Sequence, residues 1–199
     1  MNQISHKLAE LRADQPLSVI WKRLDLPGHE SCRVLASKSG WCLTGAAVLA
    51  AEGQACRLDY LIDCNRQWAT QSATVTGWVG NRTIDVRIAR DANGQWSLNE
   101  KTCEAVAGCL DVDLNFSPST NFLPIRRLNL FVGETVTVRA AWLRFPSFTL
   151  EPLDQTYTRV EDRLYRYESN AGEFVADVTV DEMGLVVDYG QLWAREVPV

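Results

Sequence analysis

The stretch from Asp111 to Leu128 concentrates the side chains that could carry chemistry. It reads DVDLNFSPSTNFLPIRRL and combines two carboxylates, a Ser-Pro turn and two adjacent arginines. Asp111 and Asp113 would point to the same face of a β-strand, with their Cα atoms about 7 Å apart. A carboxyl pair at such a separation could hydrolyse a glycosidic bond. We favour the simpler interpretation, in which both aspartates are solvated on the polar face of a half-exposed strand.

The same stretch could also recognise a ligand rich in hydroxyl groups. Aspartate and asparagine side chains bind hydroxyls, and the fork of an arginine holds an anionic headgroup. Thr120, Asn121, Arg126 and Arg127 are the candidates for this role. Local roles are the alternative: Asn121 would cap a helix, and an arginine would be solvated or would form a buried pair with Asp111 or Asp113.

Other kinds of catalytic and cofactor sites have little support in the sequence. It contains two histidines, no G-x-S-x-G nucleophile motif, no glycine-rich nucleotide-binding motif and no C-x-x-C pair. A site built on a histidine base or on histidine ligands is therefore not indicated. We expect no metal ion and no cofactor.

Composition and charge narrow the class of protein. The 199 residues are 46% hydrophobic and 23% charged, as in an ordinary globular domain. The net charge of −5 disfavours nucleic acid as a partner, and the longest apolar run, Ala46–Ala51, is too short for a transmembrane segment. The N-terminal residues do not resemble a secretory signal, so we expect a cytoplasmic protein whose six cysteines are free thiols.

Alternation of apolar and polar residues predicts a mostly β protein with a large, curved antiparallel sheet. Turn signals separate roughly ten strand-like runs. The runs are Val19–Leu24, Cys32–Ser37, Trp41–Leu49, Arg57–Cys64, Ala73–Val79, Ile84–Ile88, Leu110–Phe116, Val136–Trp142, Thr156–Tyr167 and Phe174–Val180. A short helix is predicted over Thr120–Val132, with an apolar stripe of Ile125, Leu128 and Phe131 and with Gly133 as its stop. Residues 1–16 are expected to form a tail or a short helix carrying Ile4, Leu8 and Leu11, and residues 17–199 a single domain.

Several segments of the sequence together resemble a known family. They are LDYLID, WATQSATV, DVDL, SPSTNFLPIRRL, AAWLRFP, RLYRY and FVADVTVDEMGLVVDY, among which TNFLPIRR is the most specific. The chain resembles, from about residue 17 onward, a family of bacterial proteins described as glycolipid-binding and formerly catalogued as a domain of unknown function. The resemblance implies a β half-barrel wrapped around a helix, similar to carriers of lipoproteins and lipids. It implies no catalytic residues.

Fold and resemblance together predict non-catalytic binding of an amphiphile, a glycolipid or acyl-sugar, in the concave face of the sheet. The acyl chain would lie in that face, and aromatic side chains would stack on the sugar. Trp142 is interpreted as core. The candidate ligand-binding residues are Tyr60, Asp63, Trp68, Asp111, Asp113, Thr120, Asn121, Arg126, Arg127, Tyr157, Tyr165 and Tyr167. Two alternatives stay open: an enzyme acting on a sugar or lipid through Asp111 and Asp113, and a protein-interaction module whose cleft is filled by its own helix.

Overall fold

One curved β-sheet dominates the computed structural model, which describes residues 8–196. The predictions of a mostly β fold and of a large sheet wrapped around a short helix are confirmed. The strands are β1 (Leu17–Arg23), β2 (Gly28–Ala36), β3 (Gly40–Ala51), β4 (Gln54–Asn65), β5 (Thr70–Val79), β6 (Arg82–Arg90), β7 (Trp96–Leu98), β8 (Lys101–Thr102), β9 (Asp111–Leu114), β10 (Thr135–Arg144), β11 (Thr149–Glu161), β12 (Leu164–Ser169), β13 (Phe174–Val180), β14 (Val186–Tyr189) and β15 (Trp193–Arg195).

The order of the strands places the first and the last of them side by side in the middle of the sheet. Strands β1 to β8 follow one another to one edge, and β15 back to β9 follow one another to the other edge. Strand β1 pairs with β15 through Trp21–Arg195, Lys22–Ala194 and Arg23–Trp193. Neighbouring strands are antiparallel throughout the described residues except for β9 and β10, which run parallel.

The sheet curves so far that its edge strand β9 reaches the start of β5. The backbone N–H of Thr70 donates to the carbonyl of Leu110 at 2.8 Å. The N–H of Val112 donates in turn to the Thr70 hydroxyl at 3.1 Å. These bonds satisfy backbone groups that an edge strand would otherwise leave unpaired.

The predicted strand pattern differs from the structure where strands are short. The run Thr156–Tyr167 spans parts of two strands, β11 and β12, which are separated by a turn at Asp162 and Arg163. Strands β7, β8, β14 and β15 contain two to four residues, which give little period-two signal, and they were not predicted. Strand β9 is as short as β14, but the alternation around it extends from Leu110 to Phe116.

The helical segment begins earlier and ends earlier than predicted. A 3-10 turn over Pro118–Asn121 leads directly into α1 (Phe122–Leu128). Ser117 caps the turn, because its hydroxyl accepts the backbone N–H of Ser119 at 3.1 Å. The helix ends at Asn129, which adopts a left-handed conformation with φ of 43°. Phe131, predicted to extend the apolar stripe, therefore lies beyond the helix and is 43% exposed.

Side chains of the helix fill the centre of the concave face. Phe122, Leu123 and Ile125 are buried against the sheet, together with Phe116 from the preceding loop. Such close packing leaves no room for a ligand between helix and sheet. The centre of the concave face is therefore filled by the protein's own side chains.

The described part of the N-terminal segment, residues 8–16, contains no helix. Leu8 and Leu11 nevertheless pack against the core, whereas Ile4 lies outside the described residues. The backbone N–H of Ala9 donates to the carbonyl of Glu182 at 2.8 Å, which fixes the segment to the turn after β13. Within residues 8–16 the segment is thus held by this hydrogen bond and by the packing of its two leucines.

All six cysteines are unpaired in the structure, and they differ in burial. Cys32, Cys56, Cys64 and Cys109 are buried, and burial raises the pKa of Cys32 and of Cys64 to about 12. Because the thiolate is the reactive form, the four buried thiols should react far more slowly than the half-exposed Cys42 and Cys103.

We therefore expect a thiol titration to give two fast-reacting groups in the folded protein and six after denaturation without a reductant. Fewer than six groups after denaturation would show that disulfides had formed and would contradict the prediction of free thiols.

Candidate functional site

A cleft of about 300 Å³ opens between the 3-10 turn before α1 and the C-terminal half of the sheet. Its walls come from the concave face of the sheet and from the loop that follows β9. The lining residues are Arg23, Asp113, Asn115, Ser117, Asn121, Trp142, Leu153, Tyr167, Ser169, Asn170, Phe174, Tyr189, Leu192 and Trp193. Aromatic rings and hydrogen-bonding groups are thus mixed in one concave site of the size that small ligands occupy.

Three aromatic rings on neighbouring strands form one wall of the cleft. Tyr167 on β12 contacts Phe174 on β13 and Tyr189 on β14, with ring centroids 5.9 and 5.8 Å apart. Phe174 and Tyr189 lie 6.3 Å from each other, and all three pairs meet edge to face. Each ring is held by the other two, which preorganises an apolar surface bordered by tyrosine hydroxyls.

Polar groups beside this aromatic wall are also held in position. The amide of Gln155 donates to Asp113 Oδ2 at 2.6 Å, and the Tyr157 hydroxyl donates to Asn121 Oδ1 at 3.0 Å. Burial raises the pKa of Asp113 to about 6, while the hydrogen bond from Gln155 favours the carboxylate. At neutral pH Asp113 is therefore mostly ionised, and it presents a hydrogen-bond acceptor to the cleft.

Two tryptophans line the cleft. Trp142 is half-buried and lines the cleft, so its interpretation as core is wrong. On the other side, the Arg23 guanidinium lies over the ring of Trp193, 5.0 Å from its centroid, and pairs with Asp25 at 2.6 Å. The Trp193 ring is 2% exposed and lies under this guanidinium, so the half-buried Trp142 is the tryptophan whose surface is open to the cleft.

A buried polar cluster lies directly behind the cleft. Ser117, which lines the cleft, donates to Glu30 Oε1 at 2.6 Å, and the Tyr60 hydroxyl donates to the same oxygen at 2.6 Å. The Ser119 hydroxyl lies 2.9 Å from that of Tyr60. Gly45 is required beside this cluster, because a Cβ atom there would lie 2.4 Å from Tyr60 Oη.

Glu30 is the most strongly perturbed carboxyl of this cluster. Its side chain is 1% exposed, and its Oε2 atom has no hydrogen-bond partner among the described residues. Burial raises the pKa of Glu30 to about 8, against the opposing effect of the hydrogen bonds from Ser117 and Tyr60. Glu30 is therefore mostly protonated at neutral pH, since a neutral carboxyl costs far less to bury than a carboxylate.

Asp111 does not share the cleft with Asp113. Arg127 on α1 binds Asp111 through two hydrogen bonds, Nε to Oδ1 at 3.0 Å and Nη2 to Oδ2 at 2.5 Å. Burial raises the pKa of the Asp111 carboxyl, and the guanidinium of Arg127 works against that rise. The interpretation of Asp111 as a solvated aspartate is wrong, because α1 covers this face of β9.

Arg126, the other arginine of the pair, binds the N-terminal segment. Its Nη1 donates to the carbonyl of Ala9 at 2.8 Å and to that of Met183 at 3.2 Å. Its guanidinium also lies over the ring of Trp68, 5.7 Å from the centroid. Both arginines thus contact the protein itself, and neither lines the cleft.

The other predicted site residues lie away from the cleft. Trp68 stacks on Trp41 at 4.8 Å, Asp63 accepts a hydrogen bond from Ser72, and Tyr165 is buried. The Thr120 hydroxyl accepts the backbone N–H of Leu114 at 3.3 Å. The predicted residues that do line the cleft are Asp113, Asn121 and Tyr167. Tyr157 contacts the lining residue Asn121, whereas Tyr60 contacts Glu30 behind the cleft.

Sequence reasoning missed Glu30 and most of the C-terminal aromatic residues. A signal for Glu30 was present: it alternates in phase with Cys32 and Val34 on the buried face of β2. Tyr189 and Trp193 lie on strands of four and three residues, where no period is visible.

Residues 8–196 show neither a cluster of three or more metal-ligating side chains nor a helical segment with the length and hydrophobicity of a membrane span. The curved sheet wrapped around a short helix defines the molecule as a β half-barrel protein.

A family model described as "Putative glycolipid-binding" matches residues 18–195, and the chain belongs to this family. The chain is also similar to a crystal structure of a DUF1089 family protein from Pseudomonas aeruginosa, with 28% identity and a TM-score of 0.69. That similarity covers 96% of this chain and 98% of the other. A search of curated proteins finds no match.

Proposed function

We propose that the protein binds the sugar headgroup of a glycolipid in the cleft, without chemical conversion. The observation that carries the proposal is the combination of aromatic surfaces, Trp142 and Tyr167, with fixed hydrogen-bonding groups, Asp113 and Asn121, in one cavity. Sugars offer apolar ring faces and hydroxyl groups, which match those two kinds of surface. Membership in the family supports the lipid part of the ligand.

The cleft does not favour the two-carboxylate enzyme. Asp113 is the one acidic residue that lines it, and the carboxylate of Asp111 is bound by Arg127. Glycoside hydrolysis of the usual kind needs two carboxyl groups facing the same bond.

We also propose a bacterial cytoplasmic setting, which the Pseudomonas aeruginosa relative and the unpaired cysteines support.

The proposal is tested with decyl β-D-glucoside, decyl β-D-galactoside and decyl β-D-maltoside, each below its micelle concentration. We expect at least one to bind more tightly than decyl phosphocholine, since the cleft selects for hydroxyl groups. Trp142→Ala and Asp113→Asn should each weaken binding about tenfold, which corresponds to about 1.4 kcal/mol.

Trp78→Ala is the matched control, because Trp78 is exposed on β5 and does not line the cleft. Calorimetry gives the binding constants, and a urea unfolding curve for each variant shows whether the fold is intact. If no sugar amphiphile binds more tightly than decyl phosphocholine, or if the cleft variants bind as well as Trp78→Ala, the proposal is wrong.

A further inference from the structure

A groove of about 720 Å³ adjoins the cleft at the rim of the sheet. It lies between the turn after β1, the first residues of β13 and the turn between β14 and β15. The lining residues are Leu24, Asp25, Phe174, Val175, Ala176, Gly190, Gln191 and Leu192. Phe174 and Leu192 also line the cleft, so the two cavities share a wall.

The lining of the groove differs in character from that of the cleft. Leu24 and Val175 are among the exposed large hydrophobic residues of the described chain, at 47% and 43% exposure. The one charged side chain of the groove, Asp25, is bound by Arg23 through two hydrogen bonds of 2.6 and 3.0 Å. The groove therefore offers an apolar surface whose single charge is already paired.

Small residues keep the groove open. Gly190 adopts φ of 52° in the turn between β14 and β15, and it faces Ala176 of β13. A Cβ atom at position 190 would lie 3.5 Å from the Ala176 Cβ. The absence of larger side chains at these two positions leaves a channel along the rim between Phe174 and Leu24.

We propose that this groove holds the acyl chain of the amphiphile whose sugar lies in the cleft. The inference rests on the proposed function and adds the path of the chain. Helix side chains fill the centre of the concave face, so an acyl chain attached to a sugar in the cleft has to leave along the rim. Phe174 and Leu192 line both cavities and place the apolar groove directly beside the cleft.

The first test measures how affinity depends on chain length, with methyl, hexyl, octyl and decyl β-D-glucosides below their micelle concentrations. In the wild type, affinity should rise two- to fourfold for each methylene from hexyl to decyl. Fourfold corresponds to about 0.8 kcal/mol per fully buried methylene. The double variant Leu24→Ser/Val175→Ser should flatten this rise and leave the affinity for methyl glucoside unchanged.

Val48→Ser/Leu61→Ser is the matched control, since these residues are also exposed and apolar but line neither cavity. The control should retain the full dependence on chain length. If the groove variant retains it as well, the assignment of the acyl chain to the groove is overturned.

The second test uses decyl glucoside and decanol that each carry a diazirine at the last carbon of the chain. After irradiation, we expect cross-links on Leu24 and Asp25 and on residues 174–176 and 190–192. Labelling by both probes at other surfaces, or no labelling at all, overturns the groove. If the groove is labelled but glucosides bind no better than decyl phosphocholine, the chain site stands and the sugar assignment fails.

Discussion

Arg127→Ala should lower the free energy of unfolding by about 3–5 kcal/mol. The loss is large because the partner of Arg127 is buried: Asp111 is 1% exposed and accepts two hydrogen bonds from the Arg127 guanidinium. Truncation of the arginine would leave this carboxyl buried and unpaired, and it would also cut the connection between α1 and the edge strand β9. Urea unfolding at pH 7 measures the loss.

Two further variants separate this explanation from a general sensitivity of the helix. Arg127→Met combined with Asp111→Leu should recover most of the loss, because no charge then stays buried. Arg139→Ala removes an exposed arginine that pairs with Asp154 on the neighbouring strand in a similar two-bond geometry, and it should change stability little. Equal losses in Arg127→Ala and Arg139→Ala would refute the role assigned to the buried pair.

A second large effect is expected in the pH dependence of stability, and it comes from Glu30. Burial raises the pKa of Glu30 from 4.5 to about 8 in the folded protein. Between these two values the folded state keeps a proton that the unfolded state has released, so stability falls as the pH rises. The stabilisation is complete below the unfolded pKa and is lost as the pH passes through the folded pKa.

The fall attributable to Glu30 should be about 1.4 kcal/mol for each pH unit inside this window. Burial also raises the pKa of Asp113, to about 6, so ionisation of Asp113 likewise lowers stability as the pH rises, but at lower pH. The contribution of Glu30 is therefore isolated most cleanly between pH 6 and pH 8. Glu30→Gln keeps an oxygen that accepts from Tyr60 and Ser117 but cannot ionise.

We therefore expect the stability of wild type, relative to that of Glu30→Gln, to fall by about 2.3 kcal/mol between pH 6 and pH 8, since the slope flattens as the pH reaches the folded pKa. Urea unfolding curves at half-unit steps provide the measurement. Glu104→Gln, a change at an exposed position, should follow the wild-type curve throughout. Parallel curves for wild type and Glu30→Gln would show that Glu30 is not protonated in the folded state.

The sequence predicted the sheet well, because most strands are long enough for alternation to be visible. Strand β4 contains twelve residues, and its buried positions recur with period two from Cys56 to Cys64. In β3, which is equally long, the same period is visible from Ala47 to Ala51. The helix boundaries were harder to predict, because Asn129 can adopt the left-handed conformation that ends a helix without a glycine.

The site could be predicted only in part, because its residues come together through the sheet order rather than through neighbouring sequence. Asp113 and Asn121 belong to the polar stretch around α1, but Trp193 and Arg23 reach the cleft through the pairing of β15 with β1. Pattern analysis also could not distinguish a half-buried ring such as Trp142 from a core ring. Both kinds of residue occupy the inward positions of their strands.

The central pairing of β1 with β15 also determines when the cleft can form during synthesis of the chain. A ribosome delivers β1 early, whereas Arg195, the partner of Trp21, follows about 170 residues and roughly 9–35 s later. Throughout that interval one edge of β1 lacks its final neighbour. Because Arg23 and Trp193 face each other across this junction and both line the cleft, the cleft is completed only when the last strand has been translated. The proposed sugar site is therefore complete only after β15 has been synthesised and has paired with β1.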